Sequence, residues 1–374
     1  MTAPPAGIRG GRAYAGCMSV QLRVVLDQIS QVVDADQAQA ALSLTAGLVA
    51  TAPRGCEVSA LVPRGGEVPV AGVRDVRALA LARPELATAW RMGIASGAGG
   101  GLIHAPGLMA PLVRHDRAND NHQVTLTLWD LNAWERPESL PKAQVLWHRA
   151  MLKRAVKHAD AVVVPAHAMA QKLADVARLG DRIRVIAGAA PDGFIVPEDA
   201  ASRRVGLQVP EEYVVITGEG ESFMSGFRAA ARADADVVVL DAAEGAEPAL
   251  ADAASAAGLP ERRVHVRGLL GTADRAAVLG GAQAVVATST DSAWPWRAVE
   301  AMSLSVPLVA VESGVHHDVI ADGGAVVAVE DVPDALLDAL GTGARRMRVL
   351  ASDRARAFSW ASSAERLWAL HADL

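Results

Sequence analysis

The chain has 374 residues, 51% of them apolar, which predicts two or three domains with sizeable cores and excludes wholesale disorder. A net charge of −6 argues against a nucleic-acid partner, and two cysteines, Cys17 and Cys56, are too few for a disulfide scaffold and offer no metal-ligand spacing. Charge is unevenly placed: residues 1–190 hold 21 Lys and Arg against 15 Asp and Glu, whereas residues 191–374 hold 15 against 27, so the second half is a poor electrostatic host for a polyphosphate.

The first 20 residues hold Pro4, Pro5, several glycines and two arginines and lack the apolar stretch of a signal peptide. Ala38–Ala52 is interrupted by Gln39, Ser43, Thr45 and Gly47 and is shorter than the roughly 20 residues a bilayer requires. A cytoplasmic location is expected. Along the chain, short runs rich in β-branched residues alternate with Ala-rich segments of helical pattern. The predicted strands of the first half are Leu22–Leu26, Val58–Val62, Leu102–His104, Val124–Trp129, Ala161–Pro165 and Ile183–Ile186. Those of the second half are Tyr213–Thr217, Val237–Leu240, Arg263–Arg267, Ala284–Thr288, Pro307–Val311 and Ala325–Val329. Uninterrupted apolar strands alternating with helices predict parallel sheets covered on both faces. The pattern occurs twice. This predicts an N-terminal domain over 1–190, a Pro- and charge-rich linker over 191–209, a C-terminal domain over 210–350 and a final helix over 351–374. A cleft between two such domains, at the carboxyl ends of their strands, is the expected ligand site. The glycine cluster Gly93–Gly101 lacks the Lys-Ser/Thr of a phosphate loop and reads as a connection.

Three segments carry a family likeness: "VTLTLWDLNAWERPESLPKAQVLWHRAMLKRAVKHADAVVVPAHAMAQKLAD", "RVHVRGLLGTADRAAVLGGAQAVVATST" and "AVEAMSLSVPLVAVESGVHHDVIADGGAVV". Together with the tail "FSWASSAERLWALHADL" they resemble family-4 retaining glycosyltransferases of the GT-B fold, in order from about Leu22 to Leu374. The stretch "HAPGLMAPLVRHDR" is similar to actinobacterial members that build envelope glycans. The resemblance implies a GT-B architecture of two doubly wound domains facing a cleft, with the final helix crossing back to the N-terminal domain. It further implies sugar transfer from a nucleotide-sugar donor held by the C-terminal domain to an envelope or polysaccharide acceptor held by the N-terminal domain. No metal or cofactor is implied, because fixed charges stabilise the leaving diphosphate.

The family's donor-site positions fall here on Glu300, expected on the ribose hydroxyls, and on Ser292, which replaces a glutamate beside Asp291. The family's glycines become "AWPW", Ala293–Trp296, where Pro295 has no amide hydrogen to offer. The diphosphate clamp of Arg and Lys becomes Glu219 and Met224, with Arg228 nearby. The Gly-Gly turn of the N-terminal domain becomes Asp34-Ala35-Asp36, and a histidine at the acceptor-side cleft becomes Trp129, followed by Asp130. His104 ends a strand that faces the same cleft, and is expected either to touch an acceptor or to be a satisfied loop histidine. These departures all lower anion affinity and predict weakened or lost transfer. The alternative is a non-catalytic relative that scaffolds or regulates an active glycosyltransferase partner.

Other residues carry competing expectations. His316, His317 and Asp318 form either a weak metal set or a helix start capped by Ser313. Arg114, His115 and Arg117 form a basic cluster suited to a phosphate-bearing acceptor or to solvent. Arg149, Lys153 and Lys157 share one face of a basic helix, either a contact for an anionic membrane surface or a solvated face. Trp129, Trp134, Trp294 and Trp296 map near the cleft, as sugar-stacking platforms or as filling.

Overall fold

A computed structural model describes residues 20–94, 96–116 and 122–374; Cys17 and Arg117 lie outside the described residues. The first half forms a seven-stranded sheet from β1 (Val20–Val25), β2 (Cys56–Val62), β3 (Val76–Ala78), β4 (Leu102–Ala105), β5 (Gln123–Thr127), β6 (Ala161–Val164) and β7 (Ile183–Val185). Its order is β3-β2-β1-β4-β5-β6-β7. The second half forms a six-stranded sheet from β8 (Val214–Thr217), β9 (Val237–Val239), β10 (Val264–Val266), β11 (Val285–Ala287), β12 (Leu308–Val311) and β13 (Ala325–Val327), in the order β10-β9-β8-β11-β12-β13. The pairings within both sheets are parallel. Each sheet reverses direction of winding once, between β1 and β4 and between β8 and β11, and ligands of such sheets gather outside those switch points. Central strands are buried on both faces: Val237, Val238 and Val239 are all at 0% exposure, as uninterrupted apolar runs require.

The strand β3 was not expected. Its residues Val76, Arg77 and Ala78 are all exposed at the sheet edge, so no apolar run marks it. The stretch expected as a linker contains a helix, Ala200–Gly206. It packs on the helix Thr272–Gly281 of the second half, where Arg203 pairs with Asp274 at 2.7 Å.

The final helix, Trp360–Asp373, starts at Ser359, whose hydroxyl accepts from the Ser362 amide. It crosses back onto the first domain, against the helix Ala35–Ala50. Gly47 permits the approach, since a Cβ there would lie 2.7 Å from the Trp360 carbonyl oxygen. The crossing helix is pinned by Trp368 Nε1, which donates to Leu48 O at 3.1 Å, and by Ser363 Oγ, which donates to Ala187 O at 2.7 Å. His371 meets Thr125 Oγ1 at 3.1 Å through Nε2 and Gln123 Oε1 at 2.9 Å through Nδ1. Among the described residues no helix is long and apolar enough to cross a membrane.

Candidate functional site

The carboxyl ends of β8, β9 and β11 face the helix Ala35–Ala50 and the turn after β5 across a cavity of about 460 Å³. Six carboxylates line it: Asp34, Asp36, Asp130, Glu219, Asp241 and Asp291. Arg297 is the one arginine among its described lining residues. Arg297 comes from the first turn of the helix Trp296–Ser303 and is 6% exposed. It donates to Glu300 at 2.9 Å, to Asp36 at 2.8 Å and to Asp241 at 2.6 Å. The Asp36 contact joins the two domains. Burial acts to lower the Arg297 pKa, yet the Glu300, Asp36 and Asp241 carboxylates hold it above the ordinary value. A second cross-domain set lies at the rim, where Arg136 pairs with both Glu219 and Asp291.

The floor of the cavity is a backbone bridge between domains. Trp294 N donates to Trp129 O at 2.9 Å and Leu131 N to Ser292 O at 3.0 Å, so Asp130 and Ala293 pair as an antiparallel bridge. Glu135 fixes the same loop by accepting from Ser292 N at 2.9 Å and Ser292 Oγ at 2.8 Å. Four indoles close the space beneath. Trp129 stands 5.0 Å from Trp296 and 6.3 Å from Trp360, and Trp294 stands 6.4 Å from Trp296. Gly188 fits between them because it lacks a side chain; a Cβ would lie 2.9 Å from Trp294 Nε1 and 3.0 Å from Trp129. Trp129 and Trp294 are 4% and 2% exposed, so they fill the interface.

Several expected residues stand elsewhere. Glu300 does not line the cavity. It is 1% exposed and its carboxylate is taken up by Arg275 Nη2 at 2.7 Å and Arg297 Nη1 at 2.9 Å, which leaves no free edge for a ribose diol. Burial pushes its pKa up against the pull of both guanidiniums. Met224 and Arg228 line a separate hollow with Glu221, Glu312 and Glu330. His104 is fully buried under the crossing helix, with Nδ1 at 2.9 Å from Thr125 Oγ1. Burial, with His371 nearby, holds it neutral, well below the usual range. His316 lines the large cavity, and its Nδ1 lies 2.6 Å from Val311 O. Asp318 caps a different helix by accepting from Ala168 N at 2.6 Å, and no metal-holding cluster occurs among the described residues. Ser313 caps the helix Gly314–Val319. His115 is tied to Asp160 at 3.0 Å. Arg149, Lys153 and Lys157 are exposed on the helix Lys142–His158.

The residues that the sequence reading left out are Arg136, Arg275, Arg297 and Glu135. A signal for Arg297 was present, since it precedes Glu300 by three positions, the spacing of neighbours on one helix face. The others are paired by tertiary structure alone.

A second, smaller cavity of about 160 Å³ opens from the first on the N-terminal side and shares Asp34, Gln37, Trp129, Asp130 and Asn132 with it. Trp134, Trp147, Gln144 and His148 complete its wall, and Arg83 pairs with Asp27 there at 2.9 Å. Burial and the neighbouring Arg83 press the His148 pKa down to about 4. Burial also raises Asp130, opposed by the Asn132 amide that hydrogen-bonds it.

Residues 215–343 match the family model described as glycosyl transferases group 1. Solved structures share the whole architecture. Sucrose-phosphate synthase from Thermosynechococcus elongatus aligns over 95% of this chain and 98% of its own, at TM-score 0.66 and 18% identity. HepE from Anabaena, solved in complex with UDP and glucose, aligns over 95% and 100% at TM-score 0.65 and 16% identity. AviGT4, a glycosyltransferase involved in avilamycin A biosynthesis, aligns over 95% and 98% at TM-score 0.58 and 15% identity. Among curated proteins, none matches this chain in sequence. The chain therefore has the two-domain GT-B fold of glycosyltransferases, and its second domain, over residues 215–343, carries the sequence pattern of glycosyl transferases group 1.

Proposed function

We propose that this protein descends from enzymes that transfer a sugar from a nucleotide-sugar donor, and that its own cleft no longer performs that transfer in the conventional way. One observation carries the reading. Among the described residues, the cavity where a donor diphosphate needs positive charge is lined by six carboxylates and a single arginine, and that arginine is saturated by Asp36, Asp241 and Glu300. At an effective dielectric of about 20, two like unit charges at roughly 4 Å repel by about 4 kcal/mol. A diphosphate here finds Arg136 and Arg297 already committed to Glu219, Asp291, Asp36 and Asp241, and meets repulsion from Asp34 and Asp130, which pair with no cation among the described residues. The bridge between Trp129 and Trp294 supports the same reading, because it ties the two domains together at the floor of the cleft.

Calorimetric titration with UDP, GDP and their common sugar conjugates tests it. No saturable binding up to millimolar concentration is expected. Micromolar binding by one nucleotide, or turnover of its sugar conjugate, overturns the reading and names the donor class.

A further inference from the structure

We infer that the smaller cavity is a binding site for a phosphate-free amino sugar, held by its ammonium group on Asp34 and Asp130 and by its ring against tryptophan. The inference deepens the reading above, since it names what an acidic cleft of this fold accepts in place of a phosphorylated ligand. Three independent features of the cavity agree. The first is charge. Arg83 neutralises Asp27, His148 is uncharged, and neither Asp34 nor Asp130 has a cation within ion-pair distance among the described residues. Their hydrogen bonds come from the amides of Gln37 and Asn132 and from the Gln37 side chain, which leaves both charges for a ligand. Anions are repelled there, and a protonated amine is attracted.

The second is the aromatic wall. Trp147 spends its indole N–H on Ala87 O at 3.2 Å and Trp134 completes the wall, with Trp129, buried in the domain interface, behind it. Indole faces take the apolar face of a sugar ring and attract a cation beside it. The third is unused hydrogen-bonding capacity. Gln144 lines the cavity and makes no side-chain hydrogen bond among the described residues, so its amide is available to a ligand hydroxyl. A volume of about 160 Å³ is worth roughly five waters at about 30 Å³ each, room for one small polar ring.

The test uses the full chain and follows calorimetry and tryptophan fluorescence with glucosamine, N-acetylglucosamine and glucose 6-phosphate. The amine form is expected to bind at least tenfold more tightly than the acetylated form, and glucose 6-phosphate not at all. Asp130→Asn is expected to weaken the amine form at least tenfold without weakening the acetylated form. Trp134→Leu, at a half-buried side chain, is expected to weaken both, which keeps the test valid if Asp130→Asn does not fold. Equal affinity for the amine and acetylated forms, binding of glucose 6-phosphate, or no binding by any of the three overturns the inference. Nucleotide binding is read in the separate titration, so the two readings fail independently.

Discussion

Replacing Arg297 by methionine removes the side chain that most closely joins Asp36 of the first domain to Asp241 and Glu300 of the second. Methionine fills much of the volume, so the loss is electrostatic rather than a cavity. Glu300 keeps Arg275 at 2.7 Å, and Asp241 has solvent to turn to, with a side chain 32% exposed. Asp36 is left with Arg275 at 3.9 Å. Removing one partner of a buried ion pair costs about 3–5 kcal/mol, because the remaining charge stays desolvated. At roughly 2–4 °C per kcal/mol for domains of this size, the melting temperature should fall by about 6–20 °C. Adding Asp36→Asn should return part of that loss, since the orphaned carboxylate is then neutral; the two changes should be non-additive by more than about 1 kcal/mol. Melting followed by circular dichroism at neutral pH measures both. An Arg297→Met protein that melts within about 2 °C of the parent, below about 1 kcal/mol of effect, would refute the claim that this arginine holds the domains together.

Two further outcomes follow from the crossing helix. Gly47→Ala improves helix propensity by about 1 kcal/mol, yet its Cβ would meet the Trp360 carbonyl at 2.7 Å. A net destabilisation of about 1–3 kcal/mol in denaturant melts is expected, and a gain in stability would sink the packing argument. Burial presses the His371 pKa down to about 4, so the folded state keeps it neutral while the unfolded chain protonates it below about 6.5. Its stabilising effect is therefore complete above pH 6.5 and is lost as the pH falls towards 4, at about 1.4 kcal/mol per unit. His104, held neutral beside it, steepens the same decline. Denaturant midpoints measured between pH 7 and pH 4.5 should fall with acidification; a flat profile would contradict the buried, neutral assignment.

The fold was legible because parallel strands buried on both faces leave uninterrupted runs such as Val237–Leu240 and Ala161–Pro165 in the chain. The exposed edge strand β3 leaves no such run and went unseen. Of the candidate site, the residues at strand ends and turns were legible: Asp34, Trp129, Asp130, Glu219 and Asp291 do come together at one cavity. Glu300 was misplaced for a physical reason. Its environment is set by Arg275 and Arg297, and a carboxylate between two guanidiniums has no acceptor capacity left to give. His104 lies at the end of a strand that points to the cleft, but the helix Trp360–Asp373 lies over it, and that contact depends on a segment more than 250 residues away. Sequence spacing within one element carries short-range pairs such as Arg297 with Glu300, whereas Arg136 with Glu219 exists only through the docking of two domains.

The crossing helix also sets a timetable for synthesis. The first sheet has all its strands once Val185 has been made, but the surface of the helix Ala35–Ala50 stays uncovered until Trp360–Asp373 emerges. At about 5–20 residues per second, the roughly 190 residues in between take about 10–40 s. For that interval Leu48 and its neighbours face solvent or a chaperone, so the nascent first domain is a waiting intermediate, and a ribosome that stalls in the second domain should release a chain prone to aggregate.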